Sequence, residues 1–83
     1  MIGEQAFLKN KNLVSIAIPE SVKKINEWAF YGCKNLAIIT IANSDTYIGK
    51  NAFYGCENIK IYAPIGSFAE QYAKDNNIPF VAK

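Results

Sequence analysis

Arginine and histidine are both missing from the 83 residues. Without Arg the chain has no planar fork with which to grip a phosphate or read a guanine edge in bidentate fashion. Its nine lysines, set against seven acidic residues for a net charge of +2, are scattered along the sequence. Both features argue against a nucleic-acid partner. Without His, neither Cys33 nor Cys56 has an imidazole base to make it a nucleophile, and two thiolates alone fall short of an ordinary zinc ligand set. Long apolar runs are missing too. The longest, near "LAIITIA", is far below the roughly 18 residues a membrane span requires. No Gly-rich phosphate loop is present; Gly3, Gly32, Gly49, Gly55 and Gly66 read as turn residues. The opening "MIGEQAFLKN" lacks the basic start, apolar middle and cleavage site of a secretory signal, which leaves a cytoplasmic protein or a mature or excised piece of a longer one.

What remains is ordinary for a folded domain: 51% of residues are apolar and 19% charged, too hydrophobic for a disordered chain. At this length a core is near the lower limit of self-sufficiency. The most informative feature is the phrase "AFYGC", which occurs twice. Written in rows of 23, the chain reads "IGEQAFLKNKNLVSIAIPESVKK", "INEWAFYGCKNLAIITIANSDTY" and "IGKNAFYGCENIKIYAPIGSF". Ile2, Ile25 and Ile48 share a column, as do Ala6, Ala29 and Ala52, then Phe7, Phe30 and Phe53, then Asn12, Asn35 and Asn58, then Leu13, Leu36 and Ile59. Fixed apolar columns with drifting polar ones mark a solenoid whose units bury their apolar faces against one another.

Each row predicts a short strand. "LVSIAI" and "LAIITI" end on an alternation, Ile16 and Ile18 or Ile39 and Ile41, with one buried face, and stacked rows place these strands in a parallel sheet. The Ala-Phe column followed by Gly32 or Gly55 predicts a tight helical turn ended at positive φ. The Asn column is expected to satisfy loop backbone groups. In the third row "IKIYA" alternates one residue early. Beyond it, Ser67 and Glu70 form a capping-box pattern, Phe68, Ala69, Tyr72 and Ala73 share a helical face, and Glu70 and Lys74 pair at i, i+4. Asn76, Asn77 and Pro79 end that helix, and "PFVA" reads as a last strand or tail. The expected architecture is therefore an α/β repeat solenoid: coils over 1–64 (2–24, 25–47 and 48–64), then a C-terminal cap over 65–83. Met1 leads straight into a repeat, so the first coil's edge is expected to be open. A cut from a longer array explains this best; self-association through the uncapped N-terminal coil is the other reading.

The columns "IPESVKKINEWAFYGCKNL" and "YIGKNAFYGCENI" resemble the BspA-like leucine-rich repeat family of bacterial and protozoan surface proteins, whose unit reads approximately I-P-x-S-V-x-x-I-x-x-x-A-F-x-x-C-x-x-L. The ending "IYAPIGSFAEQYAKDNNIPF" is similar to a terminus common in that family. The resemblance implies a leucine-rich-repeat solenoid, an extracellular or cell-surface setting, and adhesion or host-protein binding. Departures are local: Lys9 and Asn10 stand for the later Gly and Cys, Ala42 for Pro, and Asp45 for Val.

No residue set here points to catalysis or a cofactor. Glu4, Glu20, Glu27, Asp45, Glu57, Glu70 and Asp75 recur in no pocket-forming column and read as a solvated surface. Cys33 and Cys56 occupy one column of adjacent rows. Small buried hydrophobes are the leading reading, a disulfide the second, metal the last. Tyr31, Tyr47 and Tyr54 sit beside the joint, where rings cover the coil. The candidate interaction surface is the outward side of the strands, Ser15, Ala17, Ile38, Thr40 and Tyr62 flanked by Lys60, together with Trp28, whose column also holds Gln5 and Asn51. The expected function is non-catalytic protein or glycan interaction, the alternative a spacer or cap with no ligand of its own.

Overall fold

The computed structural model describes residues 12–83. Ile2, Ala6 and Phe7 of the first row, and its departures Lys9 and Asn10, lie outside them. Six strands and one helix follow in order among the described residues: β1 (Ser15–Ile18), β2 (Lys24–Ile25), β3 (Ile38–Ile41), β4 (Tyr47–Ile48), β5 (Lys60–Ala63), α1 (Phe68–Asp75) and β6 (Phe80–Ala82). All pairings are parallel. One sheet runs β1-β3-β5-β6 and a second, two-stranded sheet pairs β2 with β4. Parallel neighbours need a long crossover, and the row between successive strands supplies it. The result is a repeat α/β fold.

Register carries the sequence period into space. Ser15 lies opposite Ile38 and Ile18 opposite Ile41, while Lys24 and Ile25 face Tyr47 and Ile48, each pair one full row apart. The next step is shorter by one residue, because Ile38 faces Lys60 and Thr40 faces Tyr62. This is the early alternation of "IKIYA". Leu36 and Ile59 still share their buried column, so the missing residue is the counterpart of Ala37. The Ala37 and Ile38 N–H groups both donate to the Val14 carbonyl, and Lys60 N–H in turn donates to the Ala37 carbonyl.

The inner side of the large sheet is a layer of β-branched residues. Ile18, Ile39, Ile41 and Ile61 are buried there with Leu36 and Ala63, and β-branched side chains suit this pleated, packed surface. Behind them the Phe column stacks: the Phe30 and Phe53 rings lie 5.2 Å apart and 13° from parallel. The joint itself is not a helical turn. It is a run of i+3 turns, Ala29 N–H to Asn26 carbonyl, Tyr31 to Trp28 and Cys33 to Phe30. Trp28 is left-handed at φ 67 and Asn51, its column mate, at φ 62, which breaks helical continuity where one was expected. Gly32 and Gly55 do take the expected positive φ, 75 and 89.

The second return loop differs from the first. Val22 N–H closes a turn onto the Pro19 carbonyl, but the next row closes from Thr46 onto Asn43, one residue later. Ala42 cannot fix φ as Pro19 does, and Asp45 cannot be buried as Val22 is. Thr46 takes the interior place instead, donating its Oγ1–H to the Val22 carbonyl at 2.8 Å. Asn43 holds the displaced turn from both sides: Nδ2 donates to the Glu20 carbonyl at 2.9 Å, and Oδ1 accepts the Asp45 N–H at 2.8 Å.

Helix α1 begins and ends as its residues require. Ser67 Oγ accepts the Glu70 N–H at 3.1 Å, but the returning Glu70 carboxylate accepts from Gly66 N–H at 2.6 Å, one residue upstream of a standard capping box. At the other end Ile78 N–H reaches the Ala73 carbonyl and Asn77 N–H the Lys74 carbonyl, with Asn77 at φ 58. This is a Schellman ending with Asn in the usual glycine place. Ala69 and Ala73 are buried and Tyr72 half-buried against the sheet side, whereas Phe68 stays 38% exposed and leans on Tyr47 at 5.1 Å. Pro79 then releases the chain into β6, which pairs with β5.

Candidate interaction surface

Period-2 alternation puts the other half of each strand on the outer side of the large sheet. Two rows of side chains cross it in register: Ser15, Ile38 and Lys60, then Ala17, Thr40, Tyr62 and Val81. Ser15, Ala17, Ile38, Lys60 and Val81 are exposed, and Thr40 and Tyr62 half-buried. Ile38 is 40% exposed and Val81 36%. Six of the seven residues singled out from sequence therefore share one face. Val81 was missed there, although Phe80 turned inward implies Val81 turned outward once "PFVA" is a strand.

Trp28 is elsewhere. It lies in the joint after β2, half-buried, with its indole edge-to-face against Tyr31 at 5.4 Å and Tyr54 at 5.9 Å. The two tyrosine rings stack at 5.6 Å, and Tyr54 is 58% exposed. The three rings make a second, aromatic patch held together by these mutual contacts. A third feature escaped sequence reading altogether. A cleft of about 320 Å³ opens beside the small sheet, lined by Lys24, Asn26, Glu27, Tyr47, Gly49 and Lys50, with Lys24 Nζ 5.9 Å from the centre of the Tyr47 ring. Residues from adjacent rows build it, and nothing in either row alone announces it.

The sulfur column is interior. Cys33 is wholly buried and Cys56 nearly so, and Cys56 Sγ donates to the Phe30 carbonyl at 3.2 Å. Burial first, and then the neighbouring Cys33, push the Cys56 thiol up to about 12. It is protonated at neutral pH, so it is neither a ready nucleophile nor a preformed thiolate ligand. Burial likewise raises the Tyr72 hydroxyl. Among the described residues no three His, Cys, Asp or Glu side chains come together as a metal site, and no helix is long and apolar enough to cross a membrane.

Residues 1–73 match the family described as "BspA type Leucine rich repeat region (6 copies)". The chain belongs to the BspA-type leucine-rich repeat family. Among curated proteins none matches the chain, and among solved structures none does either. Leucine-rich repeats of this type are protein-interaction modules, generally non-catalytic and typically surface-associated. The stacked Phe30 and Phe53 rings and the buried Cys33 and Cys56 recur one row apart, as the residues of a repeat must.

Proposed function

We propose that this chain is a non-catalytic, adhesion-type interaction module of a bacterial surface or secreted leucine-rich-repeat protein, and that it recognises a protein or glycan ligand through the outer face of its large sheet. In this reading the repeat is a solenoid of about three coils, 2–24, 25–47 and 48–64, and residues 65–83 form its C-terminal cap. The observation that carries it is the uncovered face. All-parallel sheets are ordinarily covered on both sides, yet here Ile38, Val81 and the half-buried Tyr62 stand beside Thr40 and Lys60 with solvent over them. Solenoids use such faces for binding, and a Tyr flanked by aliphatic and charged neighbours is the composition of an interface anchor. Trp28, with Tyr31 and Tyr54, is a separate anchor in the joint.

The test is a screen of the soluble chain against a glycan array and a panel of immobilised extracellular glycoproteins, repeated with an Ile38→Ser, Tyr62→Ala double variant. Binding reduced tenfold or more, about 1.4 kcal/mol, at an unchanged melting temperature supports the sheet face. Binding that survives the change moves recognition to the Trp28 patch. No binding at all leaves the spacer reading, in which the chain ends an array whose other repeats hold the ligand. Self-association through the N-terminal coil is read separately, by sedimentation at several concentrations with and without reductant.

A further inference from the structure

We propose that Cys33 and Cys56 are a cross-linking site, a disulfide that staples the second row of the repeat to the third when the chain folds in the presence of a small disulfide oxidant such as glutathione disulfide. The geometry is set by the columns on either side. One residue pair upstream, the backbones leave little room for a side chain: a Cβ on Gly55 would sit 3.2 Å from Gly32 Cα and from Gly32 N. Phe30 N–H donates to the Ala52 carbonyl at 2.8 Å and Gly32 N–H to the Tyr54 carbonyl at 2.9 Å, locking the two joints together like strands. The Phe30–Phe53 and Tyr31–Tyr54 rings repeat at 5.2 and 5.6 Å. Backbones hydrogen-bonded like adjacent strands lie about 4.8 Å apart, within the roughly 4.4–6.8 Å between Cα atoms that a disulfide spans. Both cysteines are thiols buried side by side in this column, with Cys56 Sγ donating to the Phe30 carbonyl of the row that carries Cys33.

Small apolar side chains would fill this column as well as sulfur does; what sulfur adds is a bond between rows. The reaction balances as Cys33–SH plus Cys56–SH plus one disulfide RSSR, giving the Cys33–Cys56 disulfide and two RSH. Either thiolate can attack first in the unfolded chain, and with Cys56 first the mixed disulfide forms there; once folded, Cys56 lines a cleft of about 200 Å³ with Tyr54, Tyr72 and Ile78, whereas Cys33 is fully covered. One RSH leaves, the mixed disulfide on Cys56 is then attacked by Cys33, and the second RSH departs with the other thiol proton. In the folded protein the high Cys56 pKa makes the first step slow, so the bond forms while the joint is still assembling. This inference is independent of any ligand.

The experiment is refolding of the full chain from denaturant in a mixture of reduced and oxidised glutathione, followed by alkylation under denaturing conditions and intact-mass measurement. The expected product is a monomer about 2 Da lighter than the dithiol, with neither cysteine alkylated, and with a melting temperature raised by roughly 10 °C over the reduced chain. A Cys33→Ser variant refolded in parallel should instead carry one glutathione or one alkyl group. Two alkylated cysteines, stable glutathione adducts on the wild-type chain, or disulfide-linked dimers would each overturn the proposal, as would an intramolecular bond that lowers the melting temperature.

Discussion

Trp28 and Gly49 show how much a single position can owe to the neighbouring row. A left-handed backbone costs an ordinary L-residue roughly 1–2 kcal/mol, and Trp28 holds it at φ 67. Two edge-to-face ring contacts, each about 0.5–1.5 kcal/mol beyond area burial, offset that cost. Asn51 occupies the same place in the next row without such rings, since Asn tolerates the conformation. Trp28→Ala should therefore be the worse variant, losing the rings while keeping the strain, and Trp28→Asn should be more stable than it by about 0.5–1 kcal/mol in urea denaturation; equal stabilities would show that the backbone carries no strain. Gly49 answers to a different constraint. A Cβ there would lie 2.5 Å from Glu27 N and 2.9 Å from Asn26 C, backbone that cannot swing away. Gly49→Ala should cost about 1–3 kcal/mol by overpacking, although the residue was read from sequence as a turn glycine. Neither reason was fully legible in one row: Tyr54 comes to Trp28 from the next row, and the backbone that crowds Gly49 belongs to the row before it.

Among the elements, the strands were the most readable and the turns the least. "SIAI" and "IITI" announce their buried faces by alternation, and the early alternation of "IKIYA" became a true register step. Thr46 was invisible, since the column places Asp45 opposite Val22 and only the displaced turn brings the hydroxyl inward. Helix α1 was legible from both ends, because caps are local chemistry. Ser67→Ala should cost about 1 kcal/mol, seen as loss of helical circular dichroism ahead of the main transition. The helix also carries the acid sensitivity. The Gly66 N–H, and then Lys74 at 3.2 Å, hold the Glu70 carboxyl below the usual Glu value. A depressed folded-state pKa gives stability that is complete above the unfolded value, about 4.3, and is lost as pH falls through the lower folded one. Below about pH 4.3 the melting temperature of the wild-type chain should therefore fall faster than that of Glu70→Gln; parallel curves would show that the contacts add nothing in solution.

Across the whole molecule, stability is shared between rows. Ile39, Ile61 and Phe30 each pack against residues from an adjacent row, so each row buries its core only by contact. A domain of this length holds about 5–15 kcal/mol in total. Phe30→Ala, which empties a wholly buried place in the ring stack, should remove about 3–5 kcal/mol of that and unfold the described region as one unit. Two separated transitions in a urea titration would show that the rows and the C-terminal segment are energetically independent. The uncovered sheet face was legible from the strand pattern, whereas the cleft beside Lys24 and Tyr47 was not: a concavity between rows depends on how far they are offset, and no single row records that distance.

The one-residue step between β3 and β5 divides the molecule into two kinds of junction. Upstream of Ala37, each position meets its equivalent one full row away, so a second copy of 25–47 spliced in after Tyr47 would repeat the β1–β3 and β2–β4 ladders without a gap. Downstream, the row that meets the helix and the last strand is the one shortened at this place. The fold is thus a ruler whose divisions are equal before the step and one residue shorter at it.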